Sequence, residues 1–240
     1  SASCPAITRA GNPARVIAGQ LAESPRTDLL VLGSHRERTA RDLFEGTIAE
    51  KVLTARACPV LVVRQRPAGA YRRVLLALDA STPSANAVRA AERLLLPVDA
   101  RATIVHVGEP PYEGVMSYAD VGHEPIAAHV RHWRAEVRRE LAALLEKETA
   151  HPERFDLRVE HGHTVRGIVD VVESHAPDLL VLGTRGGGRL HRALLGSVAN
   201  SVVRQVATDV MIVPAPSRTT TSWIRSPVGT TQVVAPPANG

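Results

Sequence analysis

DLLVLG occurs twice in this chain, at residues 28–33 within ESPRTDLLVLG (23–33) and at residues 178–183 within ESHAPDLLVLG (173–183). The offset is 150 residues, and Asp28 through Gly33 match Asp178 through Gly183 at every position. The likeness continues downstream. Gly46-Thr47 stands where Gly196-Ser197 stands, and PVLVV at 59–63 falls beside DVMIV at 209–213. A self-match at so long a period marks a duplicated domain rather than a solenoid of short repeats. Each hexapeptide is an apolar run closed by glycine, which reads as a strand buried on both faces followed by a turn.

Around the second hexapeptide the pattern is complete. RVLLALD at 73–79 is a buried-type strand. Thr82 is placed to cap the next helix with Pro83 at its first position, and Val88, Ala91 and Leu95 share one face. Residues 102–107 form a second strand, followed by a loop with Pro110, Pro111 and Gly114. Ile126, Val130, Trp133, Val137, Leu141 and Leu144 recur at helical spacing and predict a long helix over 125–150. FDLRV at 155–159 alternates like a half-buried strand. A helix over 165–175, the strand at Leu179, a helix from Ser197 and a strand at Val210 complete the order. Alternating strands and helices predict a parallel sheet with helices on both faces.

The first copy starts late. Residues 7–11 correspond to the third strand of the second copy, and the first two strands and their helices have no counterpart ahead of them. Half of such a sheet leaves an open edge and a bare apolar face. The expectation is that the polypeptide is longer or that this half leans on its neighbour. The predicted organisation is therefore a partial first domain at 1–66, a complete second domain at 71–214, and a disordered Thr-, Ser-, Pro- and Gly-rich tail at 215–240.

Composition narrows the functional classes. The 240 residues carry a net charge of +5, with lysine only at Lys51 and Lys147 and arginine spread over every segment. Aromatics make up 3 %, so no stacking platform for single-stranded nucleic acid is offered. A solvated basic surface and no nucleic-acid partner are expected. No apolar stretch reaches membrane-spanning length. Cys4 and Cys58 fit no metal or redox spacing and suit a reducing cytoplasm. His123, His129 and His132 lie near one another, but no carboxylate or cysteine completes a ligand set, so no metal site is assigned.

The chemistry concentrates after the second hexapeptide. Gly183-Thr184-Arg185-Gly186 is followed by Gly196-Ser197, where a helix begins. Glycines admit close backbone approach, and a helix start presents free N–H groups, an arrangement that suits phosphate. Arg185 lies inside the loop, within reach of a terminal phosphate or of solvent. There is no G-x4-G-K-[ST] and no G-x-S-x-G, which excludes a P-loop ATPase and the usual serine-hydrolase elbow.

These residues resemble the universal stress protein family in a tandem form. Gly183, Gly186, Gly196 and Ser197 match the G-x2-G-x9-G-[ST] motif of its ATP-binding subgroup. Asp79 at the end of the first strand and the His106-Val107 pair at the end of the second fit as well. The resemblance implies an α/β doubly wound fold of five parallel strands in the order 3-2-1-4-5, in two tandem copies with the first incomplete. It implies that Asp79 and Gly183 flank the switch point where such sheets bind ligands. Asp79 would face ribose or adenine, and the Val107 backbone would meet the base. Gly183, Gly186, Gly196 and Ser197 would hold the phosphates, with Arg185 beside them. ATP, or ADP or AMP, is the implied ligand, with magnesium as a further candidate. Asp79 has a second reading, as a cap of the following helix. The first copy has Gly33, Gly46 and Thr47 but Arg36 in place of the second glycine, and is not expected to bind ATP alone. The expected output is cytoplasmic regulation of the stress response rather than turnover, with at most slow ATP hydrolysis. A nucleotide-free scaffold is the other class. Family members pair through the fifth strand, so 60–63 and 210–213 are expected to join the halves as a pseudo-dimer or to build a homo-oligomer.

Overall fold

The computed structural model describes residues 6–24, 27–33, 58–66, 69–79, 81–94, 100–119, 122–184 and 196–215, with 82, 83 and 94 described by their backbone only. Seven strands form one sheet. They are β1 (Leu30–Gly33), β2 (Val60–Val63), β3 (Arg73–Ala77), β4 (Arg101–Gly108), β5 (Phe155–His161), β6 (Leu179–Gly183) and β7 (Asp209–Val213). The helices are α1 (Pro13–Glu23), α2 (Thr82–Leu94), α3 (Glu113–Tyr118), α4 (His123–Glu148), α5 (Thr164–His175) and α6 (Ser197–Gln205).

The sheet order is β1-β2-β7-β6-β3-β4-β5. This corrects the expected five-stranded sheet. The five strands of the second copy follow one another as β5-β4-β3-β6-β7, and the two strands of the first copy extend that sheet past β7. All neighbours run parallel except β2 and β7, which run antiparallel. An outer strand with a row of open N–H and C=O groups invites pairing, and β2 supplies it.

That junction is symmetric. Leu61 opposes Met211, with Val60 on Ile212 and Val62 on Val210. Since residue 61 corresponds to 211 at the 150-residue offset, the pairing is self-complementary about this point, as in an isologous contact. The register within each copy is also repeated, Leu30 on Val60 and Leu180 on Val210. Asp209 locks the junction. Its carboxylate accepts from the backbone N–H groups of Arg64 (2.7 Å) and Gln65 (3.1 Å) and from the Tyr71 hydroxyl (2.8 Å). Burial, with this bond to Asp209, pushes the Tyr71 hydroxyl well above the usual phenol range. The Arg64 guanidinium turns back to the Val203 and Val206 carbonyls at the end of α6, which suits a cation at a helix C-terminus.

Side-chain alternation builds a core on each side of the sheet. Val105 and Val107 of β4, Leu180 and Leu182 of β6, and Val210 and Ile212 of β7 pack against α5, α6 and Leu21 of α1. Ile104, Leu179, Val181, Met211 and Val213 face the other way, against the alanine-rich surface of α2 and Val137, Leu141 and Leu145 of α4. Several boundaries shift from expectation. α4 spans His123–Glu148, and its buried stripe ends on Leu145 rather than Leu144. α3 stands within what reads as a loop. The Ser81 carbonyl accepts the first bonds of α2, so Ser81 rather than Thr82 holds the cap position. Residues 6–10, counterpart of β5, form no strand, because nothing in the described part of the first copy corresponds to β4.

Candidate functional site

β3 and β6 are adjacent and parallel at the centre of the sheet, with Ala77 beside Leu182. The connection after β3 runs to α2 on one face, and that after β6 runs to α6 on the other. Their carboxyl ends therefore diverge and leave a crevice, the switch point of a doubly wound sheet. Asp79 lies two residues past β3, and Gly183 is the last residue of β6. The structure brings both to this edge.

Val107 reaches the same place through its backbone. Leu78 donates its N–H to the Val105 carbonyl (3.0 Å), so Val105 turns its peptide groups toward β3. Gly108, of opposite parity, accepts from Gly162 on the β5 side (2.9 Å). Strand alternation then turns the Val107 N–H and C=O toward the β3 side, beyond the point where β3 has ended. Its side chain points into the core and is 4 % exposed. Gly167 of α5 crosses it so closely that a Cβ there would lie 2.5 Å from Val107 Cγ1. His106 faces the other way. Its Nδ1 donates to the Leu78 carbonyl (2.9 Å), which fixes the approach to Asp79, and its ring lies 5.9 Å from that of Trp133.

Asp79 is half-buried and already engaged. Its Oδ1 accepts from the Ser81 N–H (3.1 Å), the Ser84 hydroxyl (2.7 Å) and the Ser81 hydroxyl. It thus pins the first turn of α2 through Oδ1.

Ser197 is the first residue of α6, and the cap is Gly196, with no side-chain hydrogen bond to the helix start. A glycine cap leaves the first N–H groups of α6 without a side-chain acceptor, the condition for anion binding at a helix N-terminus. The loop base is stapled: Gly196 donates to the Thr184 carbonyl (2.9 Å), Thr184 donates to Val213 (3.0 Å), and Ala215 donates to the Thr184 hydroxyl (3.0 Å). Arg185 and Gly186, like Arg36, Gly46, Thr47 and Cys4, lie outside the described residues.

Ser197, Val198 and Ser201 line a cleft of about 410 Å³ together with Glu109, Gly162, His163, Thr164 and Val165. Two helix N-termini, of α5 and α6, open into it. Sequence reasoning missed the contribution of 162–165. The signal was present as Gly162, with φ +132, before a helix start capped by the His163 side chain. His129 and His132 are engaged elsewhere, with the Pro111 carbonyl (2.8 Å) and Glu136 (3.2 Å).

With this geometry in place, the pattern that defines the universal stress protein family matches residues 3–64 and 70–214. The chain belongs to that family. Universal stress protein YxiE of Bacillus subtilis (strain 168) is 27 % identical over 147 residues, 60 % of this chain and 99 % of that protein. A universal stress protein of Thermus aquaticus is 32 % identical over 144 residues, 60 % of this chain and 98 % of its own length. Among solved structures, a universal stress protein from Archaeoglobus fulgidus superposes with a TM-score of 0.53 at 20 % identity, over 83 % of this chain and 65 % of that one. This universal stress protein thus spans less than two thirds of the Archaeoglobus chain, and at that identity the likeness is one of fold. Among the described residues, no helix is long and apolar enough to cross a membrane.

Proposed function

We propose that this universal stress protein binds an adenine nucleotide at the switch point of residues 71–214 and acts as a regulatory stress-response protein of the cytoplasm. The observation that carries the reading is convergence at one carboxyl edge. The outward-turned peptide of Val107, the Asp79 carboxylate and the Gly183 terminus stand at neighbouring strands. Ser197 follows at the glycine-capped start of α6, where no side chain accepts from the first N–H groups.

In this reading Val107 meets the base, and Asp79 offers Oδ2 to ribose or base while Oδ1 holds α2. Gly183, Arg185, Gly186, Gly196 and Ser197 hold the phosphates, with the helix N-terminus contributing about 0.5–1 kcal/mol. Glu109 lines the cleft beside Ser197, so its carboxylate opposes phosphate from that wall. ATP, ADP and AMP share these contacts, and magnesium would accompany the phosphates. The partial copy at 1–66 carries Arg36 where a glycine is required and holds no nucleotide of its own. Its union with 71–214 through β2 and β7 acts as an internal pseudo-dimer.

Titration calorimetry with ATP, ADP and AMP, with and without magnesium, tests this. One site per chain is expected, and Gly196→Arg abolishes binding by filling the cradle while circular dichroism is unchanged. Unchanged affinity in that variant, or two equal sites per chain, overturns the reading. The serine bonds to Asp79 favour a second reading, in which that residue is only a helix cap and the protein is a nucleotide-free scaffold. Mass spectrometry of what the purified protein carries separates the two.

A further inference from the structure

We propose that the outward face of α3 holds a C-terminal segment of this same chain, with Trp223, Ile224 and Arg225 seated on Tyr112, Val115 and Tyr118. Tyr112, Val115 and Tyr118 recur at a spacing of three and share one face, and they are 77 %, 64 % and 95 % exposed. Two of the chain's three tyrosines are on this face. The base beneath them is fastened. Glu113 accepts from His161 Nε2 at the end of β5 (2.7 Å), and the Pro111 carbonyl accepts from His129 of α4 (2.8 Å). The His161 ring in turn meets Trp133 edge-on, with centroids 6.3 Å apart. Tyr112 stands in the left-handed region, φ +67, a strained backbone for a residue other than glycine. Large apolar side chains held outward on a fixed base mark a contact surface.

Charge and reach identify the occupant. Residues 102–130 carry the carboxylates of Glu109, Glu113, Asp120 and Glu124 and no lysine or arginine, in a chain of net charge +5. Residues 216–240, which lie outside the described residues, carry Arg218 and Arg225 and no Asp or Glu. Trp223-Ile224-Arg225 sets an aromatic ring, an aliphatic chain and a guanidinium in a row, which suits tyrosine rings beside carboxylates. The start of this segment is fixed at the carboxyl edge. Ala215 donates to the Thr184 hydroxyl (3.0 Å), and the Pro214 carbonyl accepts from Asn86 Nδ2 of α2 (3.5 Å). α2 and α4 cover the same face of the sheet, and α3 leads into α4. From β7 to β5, where His161 holds α3, the sheet has four strand spacings, about 19 Å. The eight residues from Ala215 to Trp223 reach about 26 Å when extended. Three side chains make too small a surface for a stable complex with a separate protein, whereas a tethered segment binds at an effective concentration in the millimolar range. The contact does not depend on whether the crevice holds a nucleotide.

The test uses the full chain labelled with nitrogen-15. Its two tryptophans give two indole signals, and Trp223→Phe assigns them. With the segment seated, the Trp223 indole shows the same positive heteronuclear NOE as that of Trp133. Tyr118→Ala and, separately, Arg225→Glu each release it, and trypsin then cleaves after Arg218 about tenfold faster, the weight of one anchoring side chain. Tyr118 is so exposed that circular dichroism stays unchanged in its variant. A freely moving Trp223 indole in the unmodified protein, or undiminished ordering in either folded variant, overturns the proposal. So does ordering that grows with protein concentration, which would seat the segment on a second copy of this chain.

Discussion

The hexapeptide DLLVLG folds into a strand in both halves of this protein, yet it has two fates. As β6 it is central, flanked by β3 and β7, and its apolar residues are buried on both faces. As β1 it is terminal, and burial alternates between half-buried and exposed. Identical local chemistry yields the same backbone and the same register, while burial is decided by which neighbours exist. The helices repeat the lesson. Position 167 of α5 is glycine because Val107 crosses there, and its counterpart in α1 is Ile17, which packs against the core where nothing among the described residues corresponds to β4.

Changes at corresponding positions test this contrast. The largest effect belongs to Asp209, whose counterpart is Pro59. Asp209→Ala strands the Arg64 and Gln65 N–H groups and the Tyr71 hydroxyl, and should cost about 3 kcal/mol in urea denaturation. A loss under about 1 kcal/mol would mean the junction is held by the strands alone. Next comes the valine pair. Val181→Ala should cost about 2 kcal/mol and Val31→Ala less than about 0.5 kcal/mol. Equal costs would show that the hexapeptides experience the same environment in solution.

Gly167→Ala forces a methyl group into Val107, and a loss of about 1–2 kcal/mol is expected. Calorimetry on the same variant should show weakened nucleotide binding, since Val107 must move. Wild-type stability and affinity would mean that α5 stands further from β4 than described. At neutral pH the least visible change belongs to Cys58 of the first copy, whose effect appears only in alkali. Burial pushes the Cys58 thiol up to about 12 from 9.0, whereas its counterpart is Thr208, hydrogen-bonded to the Pro177 carbonyl. The folded state favours the protonated thiol, so its stabilising contribution is whole below pH 9.0 and is lost as pH rises toward about 12. Cys58→Ala should remove the part of the alkaline slope that begins near pH 9.0 and leave the part that Tyr71 adds above pH 10.0, seen as denaturant midpoints measured from pH 8 to about 11. A slope unchanged by the substitution assigns it to other groups.

Much of the second copy was legible because its cues are local. RVLLA, LLVLG and DVMIV are apolar enough to read as strands, and the 150-residue offset exposed the duplication. The joining of 60–63 to 210–213 was expected from the family, but the resulting seven-stranded order was not, because the count assumed separate sheets. α3 was missed because six residues beside two prolines carry too little periodicity. The cap of α2 was misplaced by one residue, at Thr82 rather than Ser81, because serine and threonine both suit that position. Asp79 and Val107 were legible as a pair only through the resemblance. The cleft residues 162–165 were missed although Gly162 before a helix start signalled a turn, because that signal fixes the turn and not what it faces.

The antiparallel junction of β2 with β7 has a further consequence. Strands within each half advance in one direction, and the two halves advance in opposite directions. The tips of β1 and β2 at Gly33 and Val63 therefore emerge on the rim opposite to that of Gly183 and Val213. Whatever is gripped above the molecule at one rim and below it at the other remains separated by the height of the sheet, about 15 Å for a strand of five residues. The rungs of β2 and β7 and the core shared by Leu21, Val60 and Val202 run between the two rims.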